Sequence, residues 1–266
     1  MLIVFHERFK EVYSNDFASK LGRLDSACQE LGRCFDFIKP VRAIDLDLEL
    51  VHSPDHIEQI KKSSLTYEIA ALAAGGAIKA AELTTLGKNA FALIRPPGHH
   101  ASKDRKWGFC FFNNVAVAVE KLRNEGVIKK ALIIDIDLHF GDGTNKIFKD
   151  NSNVTYIHIN ELERNIYLER LQTILDVHRE SDLIAVSAGF DTHEYDWGFL
   201  LRTEDYNVMG KMIKSCADRI CEGRVFGVLE GGYNQNYLGE NIKSFLFGLE
   251  GRNYTSRPVE IPLLGR

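Results

Sequence analysis

Six short runs of this chain are apolar through most of their length: Leu2–Phe5, Ala90–Ile94, Ala131–Ile136, Val154–Ile159, Asp182–Ala188 and Val225–Leu229. A strand with one wet face alternates apolar and polar residues. Runs that stay apolar at successive positions belong to strands covered on both faces. Between them lie amphipathic segments that predict helices over Asp16–Phe35, Tyr67–Leu86, Asn113–Glu125, Leu162–His178, Thr203–Cys221 and Asn236–Leu249. Strands alternating with helices predict an α/β fold with a mostly parallel sheet and helices on both of its faces. No repeat, low-complexity tract or Pro/Gly/Ser linker breaks the pattern, so residues 1–266 read as a single domain.

Composition narrows the function classes. The net charge is −4 and like charges do not cluster, so no direct nucleic-acid or acidic-membrane binding is expected. Leu2–Phe5 runs straight into His6, Glu7 and Arg8, too short for a signal segment. Nothing approaches the ~18 uninterrupted apolar residues of a membrane span. Cys28, Cys34, Cys110, Cys216 and Cys221 are scattered and form no C-x-x-C pair. They read as reduced thiols of a cytoplasmic protein.

The polar motifs stand just after the apolar runs, at Arg95–Ala101, Trp107–Asn114, Asp135–Gly143, Ser187–His193 and Glu230–Asn234. In an open α/β sheet the ligand crevice lies beyond the carboxyl ends of the strands, so these distant segments are expected to converge there. Most informative is Ala131-Leu-Ile-Ile-Asp-Ile-Asp-Leu-His139. Residues two apart on an extended chain share a face, which turns Asp135, Asp137 and His139 the same way. Two carboxylates and an imidazole crowded at a strand end call for a cation. Asp191 follows another apolar strand through a small-residue turn. With Asp137 and His139 it would complete three ligands of a zinc site that keeps a position open. His193 is the alternative ligand from that loop.

Arg95-Pro-Pro-Gly-His-His-Ala101 places His99 and His100 in a stiffened turn, where they suit acid–base work. Asp135 and Asp142 remain to orient them. Tyr233, after two glycines in Glu230-Gly-Gly-Tyr, could donate to an oxyanion. Trp107 and Phe109 could line an apolar passage for a linear acyl-amine arm. His52 and His56 read as structural.

Taken in order, Arg95-Pro-Pro-Gly-His-His, Gly108-Phe-Cys-Phe-Phe-Asn-Asn, Asp135-x-Asp-x-His-x-Gly-x-Gly-Thr144, Ser187-Ala-Gly-Phe-Asp-x-His193 and Glu230-Gly-Gly-Tyr233 resemble the histone deacetylase-like amidohydrolases. The likeness is greatest to the class II, acetylpolyamine and acetoin-utilisation branches. The resemblance implies the arginase/deacetylase fold, a three-layer α/β/α sandwich. It implies zinc, or ferrous iron, on Asp137, His139 and Asp191. It further implies His100 paired with Asp142 as base and acid, His99 paired with Asp135 as an electrostatic group, and Tyr233 polarising the carbonyl. Gly108 and Phe109 would line the acyl tunnel. The implied substrate is an N-acetylated small molecule or an acetyl-lysine protein, and an oligomer is compatible with it.

The chain also departs from that pattern. Phe140 stands where the family often has His. Tyr156 falls where a Ser commonly helps to hold a monovalent cation (K⁺) near Asp135. Only residues 159–181 separate His158 from Asp182, so the segment that supplies the family's second tunnel wall is missing. Unless Tyr167, Trp197 or a second subunit closes it, the site should be more open and accept bulkier acyl groups. An arginase-like ureohydrolase and a catalytically weak, metal-containing acyl-binding module are the competing readings.

Overall fold

Apolar runs at the centre of the sheet form strands buried at every position, and those at the sheet margins do not. In the computed structural model, which describes residues 1–255, the strands are β1 (Leu2–Val4), β2 (Asp36–Ile38), β3 (Ala90–Ala92), β4 (Ala131–Asp135), β5 (Val154–His158), β6 (Leu183–Ala188) and β7 (Val225–Leu229). Residues 256–266 of the expected domain lie outside the described residues. The strands form one seven-stranded sheet in the order β2-β1-β3-β7-β6-β4-β5, and every pairing is parallel. β3, β4, β6 and β7 are buried throughout, whereas the edge strands β2 and β5 are partly exposed.

The helices are α1 (Asp25–Gly32), α2 (Asp45–Leu48), α3 (Pro54–Lys61), α4 (Ser64–Thr85), α5 (Asn114–Asn124), α6 (Asp142–Phe148), α7 (Arg164–Val177), α8 (Thr203–Ile220) and α9 (Gln235–Leu249). α4 is rich in Ala and Gly, and it lies close against β1, β3, β7 and α5. On the other side, α7, α8, α9 and α1 pack in succession. The result is the three-layer arginase/deacetylase fold. Among the described residues, no helix is long and apolar enough to cross a membrane.

Two differences from the sequence reading have clear physical causes. β2 has no counterpart among the expected strands, because Asp36-Phe37-Ile38 is short and mostly exposed. It becomes a strand by pairing with β1, with Ile3 opposite Phe37. The helix expected over Asp16–Phe35 shrinks to α1. Ahead of it, Ser19 Oγ accepts from the Tyr13 and Ser14 amides, and Asp16 Oδ1 accepts from the Ser19 amide. The buried Arg95 guanidinium also binds the carbonyls of Glu11, Ala18 and Lys20. Local polar bonds of this kind compete directly with a helix.

Candidate active site

Asp135 ends β4 in register with His158 of β5 and Ser187 of β6, and Asp137 and His139 continue just past it. From the end of β6 a glycine turn delivers Asp191. Asp135 and Asp191 are fully buried and Asp137 is 1% exposed. His139 Nδ1 lies 3.1 Å from Asp137 Oδ1 and 3.0 Å from Asp191 Oδ2. The outer oxygens are already held, Asp137 Oδ2 by the Gly231 amide at 2.7 Å and Asp191 Oδ1 by the Leu138 amide at 3.0 Å.

Asp191 Oδ2 is different. It is buried and, among the described residues, has no aligned hydrogen-bond partner, although His139 Nδ1 stands 3.0 Å away. A buried carboxylate oxygen left in that state is costly. The adjacent carboxylates of Asp137 and Asp191 raise His139 to about 10, while burial and Asp137 push Asp191 upward. The His139 shift reports two carboxylates around one imidazole, and Asp137 adds to burial in raising Asp191. Two carboxylates and one imidazole nitrogen, with a position left open, form a donor set suited to a borderline divalent cation. The structure therefore brings together the three residues expected to do this. His193 is not among them. Its Nε2 lies 3.2 Å from Thr203 Oγ1 and its Nδ1 accepts from the Tyr195 amide. His52 and His56 stack on each other and bond the 101–113 segment, the structural role expected of them.

His99 and His100 lie with ring centroids 4.1 Å apart, yet their environments oppose each other. His99 Nδ1 is 3.0 Å from Asp135 Oδ2, and His100 Nδ1 is 3.0 Å from Asp142 Oδ1. Burial disfavours charge on His99, but Asp137 and Asp135 outweigh it and hold the imidazole well above its usual value. For His100, burial and the neighbouring His99 outweigh Asp142 and lower it to about 4. The two environments therefore favour the charged form of His99 and the neutral form of His100. A carboxylate can only accept, so the neutral His100 carries its proton on Nδ1 and offers Nε2 as an acceptor.

Two supporting residues carry little signal in the sequence. Glu230 is fully buried and accepts from the Gly98 amide (2.6 Å), the His99 amide (3.2 Å) and Ser187 Oγ (3.1 Å). It pins the histidine loop to the end of β7, and its place ahead of two glycines is the only sign of it. Arg23 donates to the carbonyls of Glu230 and Gly232, and its guanidinium stands 5.1 Å from the Tyr233 ring centroid. It falls inside an expected helix, so nothing marks it.

Above this floor, Trp107, Phe109, Trp197 and Tyr233 line a cavity of about 200 Å³ with His100 and His139 at its base. Gly108 (φ 58°) and Phe109 (φ 67°) both have left-handed backbones. A Cβ on Gly108 would lie 2.3 Å from His100 Cδ2, so only glycine lets the chain pass there. Phe109 meets Tyr233 edge-on at 6.1 Å. Trp197 stacks on Tyr233 at 4.0 Å and stands at 90° to His139 at 5.9 Å. Trp107 packs 4.4 Å from His100 and donates its indole N–H to Asp142 at 2.9 Å.

The sequence model of the histone deacetylase domain matches residues 14–170 and 165–249. The chain belongs to the histone deacetylase family. A probable deacetylase of Methanothermobacter thermautotrophicus is 32% identical, over 82% of this chain and 80% of that protein. A histone deacetylase-like amidohydrolase of Pseudomonas aeruginosa is 30% identical, over 74% of this chain and 66% of that protein. Among solved structures, the HD domain of HDA15 superposes with a TM-score of 0.83 at 25% identity, covering 96% of this chain and 90% of that one. The protein is thus a deacetylase of a metal-dependent hydrolase family.

Within this deacetylase the two residues of the chain that could close the site, Tyr167 and Trp197, stand in different places. Tyr167 is in the core, its hydroxyl 3.4 Å from the Ile136 carbonyl, so it does not serve. Trp197 arrives from the loop after β6 and lines the cavity beside Tyr233. A second grouping, His99, Cys110 and Glu230, is fully buried. Glu230 there is saturated by N–H and O–H donors, and burial pushes the Cys110 thiol well up. The two other departures from the family, Phe140 and Tyr156, pack edge-on at 5.9 Å. The Tyr156 hydroxyl donates to Asp135 at 2.8 Å, which takes up the side of that carboxylate where the family pattern commonly has a Ser that helps to hold a monovalent cation. These residues do not fit the ion.

Proposed function

We propose that residues 1–266 form one zinc-dependent deacetylase domain that hydrolyses the amide of an N-acetylated linear amine, either an acetyl-lysine side chain or a small acetylated amine. The observation that carries this reading is the meeting of Asp137, His139 and Asp191 with the His100–Asp142 pair at the base of a narrow aromatic cavity. Asp137, His139 and Asp191 would hold the metal. When bound, zinc polarises the acyl carbonyl and acidifies the attacking water.

The chain's own groups do the rest. His100, neutral and fixed by Asp142, takes the water's proton on Nε2 and returns it to the leaving amine. His99, charged and tied to Asp135, adds a positive field at the reacting centre. Burial holds the Tyr233 phenol well above its ordinary value, so it remains a donor for the developing oxyanion. The Tyr233 and Asn234 amides each donate to Asp196 Oδ2 at 2.7 Å, and Trp197 stacks on the Tyr233 ring, so the group is held from two sides. Gly108, Phe109, Trp107 and Trp197 flank the methylenes of the substrate arm. A cavity of about 200 Å³ is smaller than the usual small-molecule pocket of roughly 300 Å³ or more, and so selects a slender acetyl arm.

Purified protein should be assayed on acetyl-lysine peptides, acetylpolyamines and N-acyl amines of increasing acyl length. Hydrolysis of the acetyl compounds, abolished by chelation and restored best by zinc, is the expected result. Ferrous iron restoring more activity than zinc would reassign the metal. No turnover of any acyl amine by fully metal-loaded protein would overturn the reading.

A further inference from the structure

Asp135 is completely buried, and groups of the chain itself satisfy it. Its Oδ1 accepts from the Asp137 amide at 3.1 Å. Its Oδ2 accepts from His99 Nδ1 at 3.0 Å and from the Tyr156 hydroxyl at 2.8 Å. That hydroxyl accepts in turn from the Gly141 amide at 2.9 Å, so its single proton is committed to Asp135. Burial, and then Asp135, push the phenol far above its usual value and keep it a donor.

Space is closed as tightly as the hydrogen bonds. A Cβ built on Gly141 would fall 2.4 Å from Asp135 Oδ2 and 2.6 Å from the Tyr156 hydroxyl. The Phe140 ring lies edge-on to both Tyr156 (5.9 Å) and His158 (5.6 Å) and covers this corner. Tyr156 reaches it from β5, where it sits opposite Ile133, two residues before Asp135. The two departures from the family pattern are thus one packed unit.

We propose that Tyr156 is a positioning residue whose hydroxyl replaces the monovalent cation that the family pattern places beside Asp135, so that this chain aligns His99 without that ion. The Tyr156 hydroxyl and His99 Nδ1 meet on the same oxygen, Asp135 Oδ2, so the phenol fixes the carboxylate that in turn fixes the His99 ring. The role of His99 rests on the proposed deacetylase reading; the independence from the ion does not.

The test compares thermal unfolding and steady-state rates of the metal-loaded protein in KCl, NaCl and tetramethylammonium chloride at matched ionic strength. The wild-type protein should show one Tm and one kcat in all three salts. Tyr156→Phe keeps the ring and loses the donor, so kcat should fall on the order of 10-fold with KM little changed, and no salt should restore it. Tyr156→Ser opens the corner to an ion. Its Tm and kcat should become higher in KCl than in tetramethylammonium chloride, a rescue that a purely structural role for the ring would not produce. A wild-type Tm that rises specifically in KCl, a Tyr156→Phe enzyme with full kcat, or a Tyr156→Ser protein indifferent to KCl would each overturn the proposal. If no acyl amine is turned over, the Tm series still decides the ion question separately from the proposed function.

Discussion

At the floor of the site, the polar groups come from strand ends and the few residues after them. Asp135 ends β4 and Asp137 and His139 follow it, Asp191 follows β6 and Glu230 follows β7. At the mouth, four aromatic rings arrive from three loops: Trp107 and Phe109 from one, Trp197 from a second and Tyr233 from a third. Floor carboxylates are buried to 1% exposure or less, whereas Trp107 and Trp197 remain 44% and 39% exposed. A buried charge cluster has no fallback when one member is lost, because water cannot enter to replace it. Exposed rings lose contacts one at a time. The floor should therefore fail all at once and the mouth by degrees.

The severest way to test that contrast is Asp137→Ala or Asp191→Ala. Either change should remove the divalent metal and reduce activity to background, as checked by elemental analysis and turnover on one sample. Full metal content in either variant would show that the three residues do not act as a set.

His100→Ala separates binding from chemistry within the floor. It should keep the metal and lose on the order of 10²–10⁴-fold in kcat. His99→Ala should lose less, since His99 acts through its charge rather than by moving a proton. Equal kcat losses in the two variants, measured at saturating substrate, would erase the distinction drawn from their opposite environments.

At the mouth, Trp197→Ala should be graded. Loss of the stack on Tyr233 removes an aromatic contact worth about 0.5–1.5 kcal/mol beyond its buried area. kcat/KM for an acetyl arm should fall on the order of 10-fold, while N-acyl amines with longer acyl groups gain. Unchanged acyl-length selectivity would mean that something else walls the cavity.

The smallest effect concerns acid. His52 Nδ1 lies 2.9 Å from the Ser102 carbonyl and His52 Nε2 accepts from the Asn113 amide at 2.9 Å, clamping both ends of the loop that carries Trp107 and Phe109. Burial, then repulsion from His56, lowers His52 to about 3 in the folded protein. Unfolded, it titrates near 6.5. Between these values the unfolded chain binds the extra proton, so this contribution is complete above about pH 6.5 and is lost as pH falls toward about 3. The Tm should drop over that window in the wild type and drop less steeply in His52→Gln. Parallel curves for the two proteins would show that the clamp does not set the acid response.

Much of the floor was legible because it obeys local rules. Period-two alternation placed Asp135 and Asp137 on one face. Apolar runs located every expected strand to within two residues, the largest difference being β3, which ends at Ala92 rather than Ile94. β2 escaped because three half-exposed residues carry no period of their own. The long expected first helix failed because Arg95, at least 75 residues later in the chain, draws its carbonyls away. Trp197 was only one of several ways the mouth could have been closed.

By itself the sequence determined the fold class, the family and the identity of the polar groups at the strand ends. Covered strands must be apolar, and the groups that follow them must then be polar for a reason. Only the tertiary structure decided which ring stands where. Trp197 lies outside every motif of the chain. Its stacking on Tyr233, like the reach of Tyr156 to Asp135 and of Arg23 to the Glu230 carbonyl, joins segments that share no local pattern. Such contacts arise when the sheet brings distant loops to one edge, and local periodicity carries no record of them.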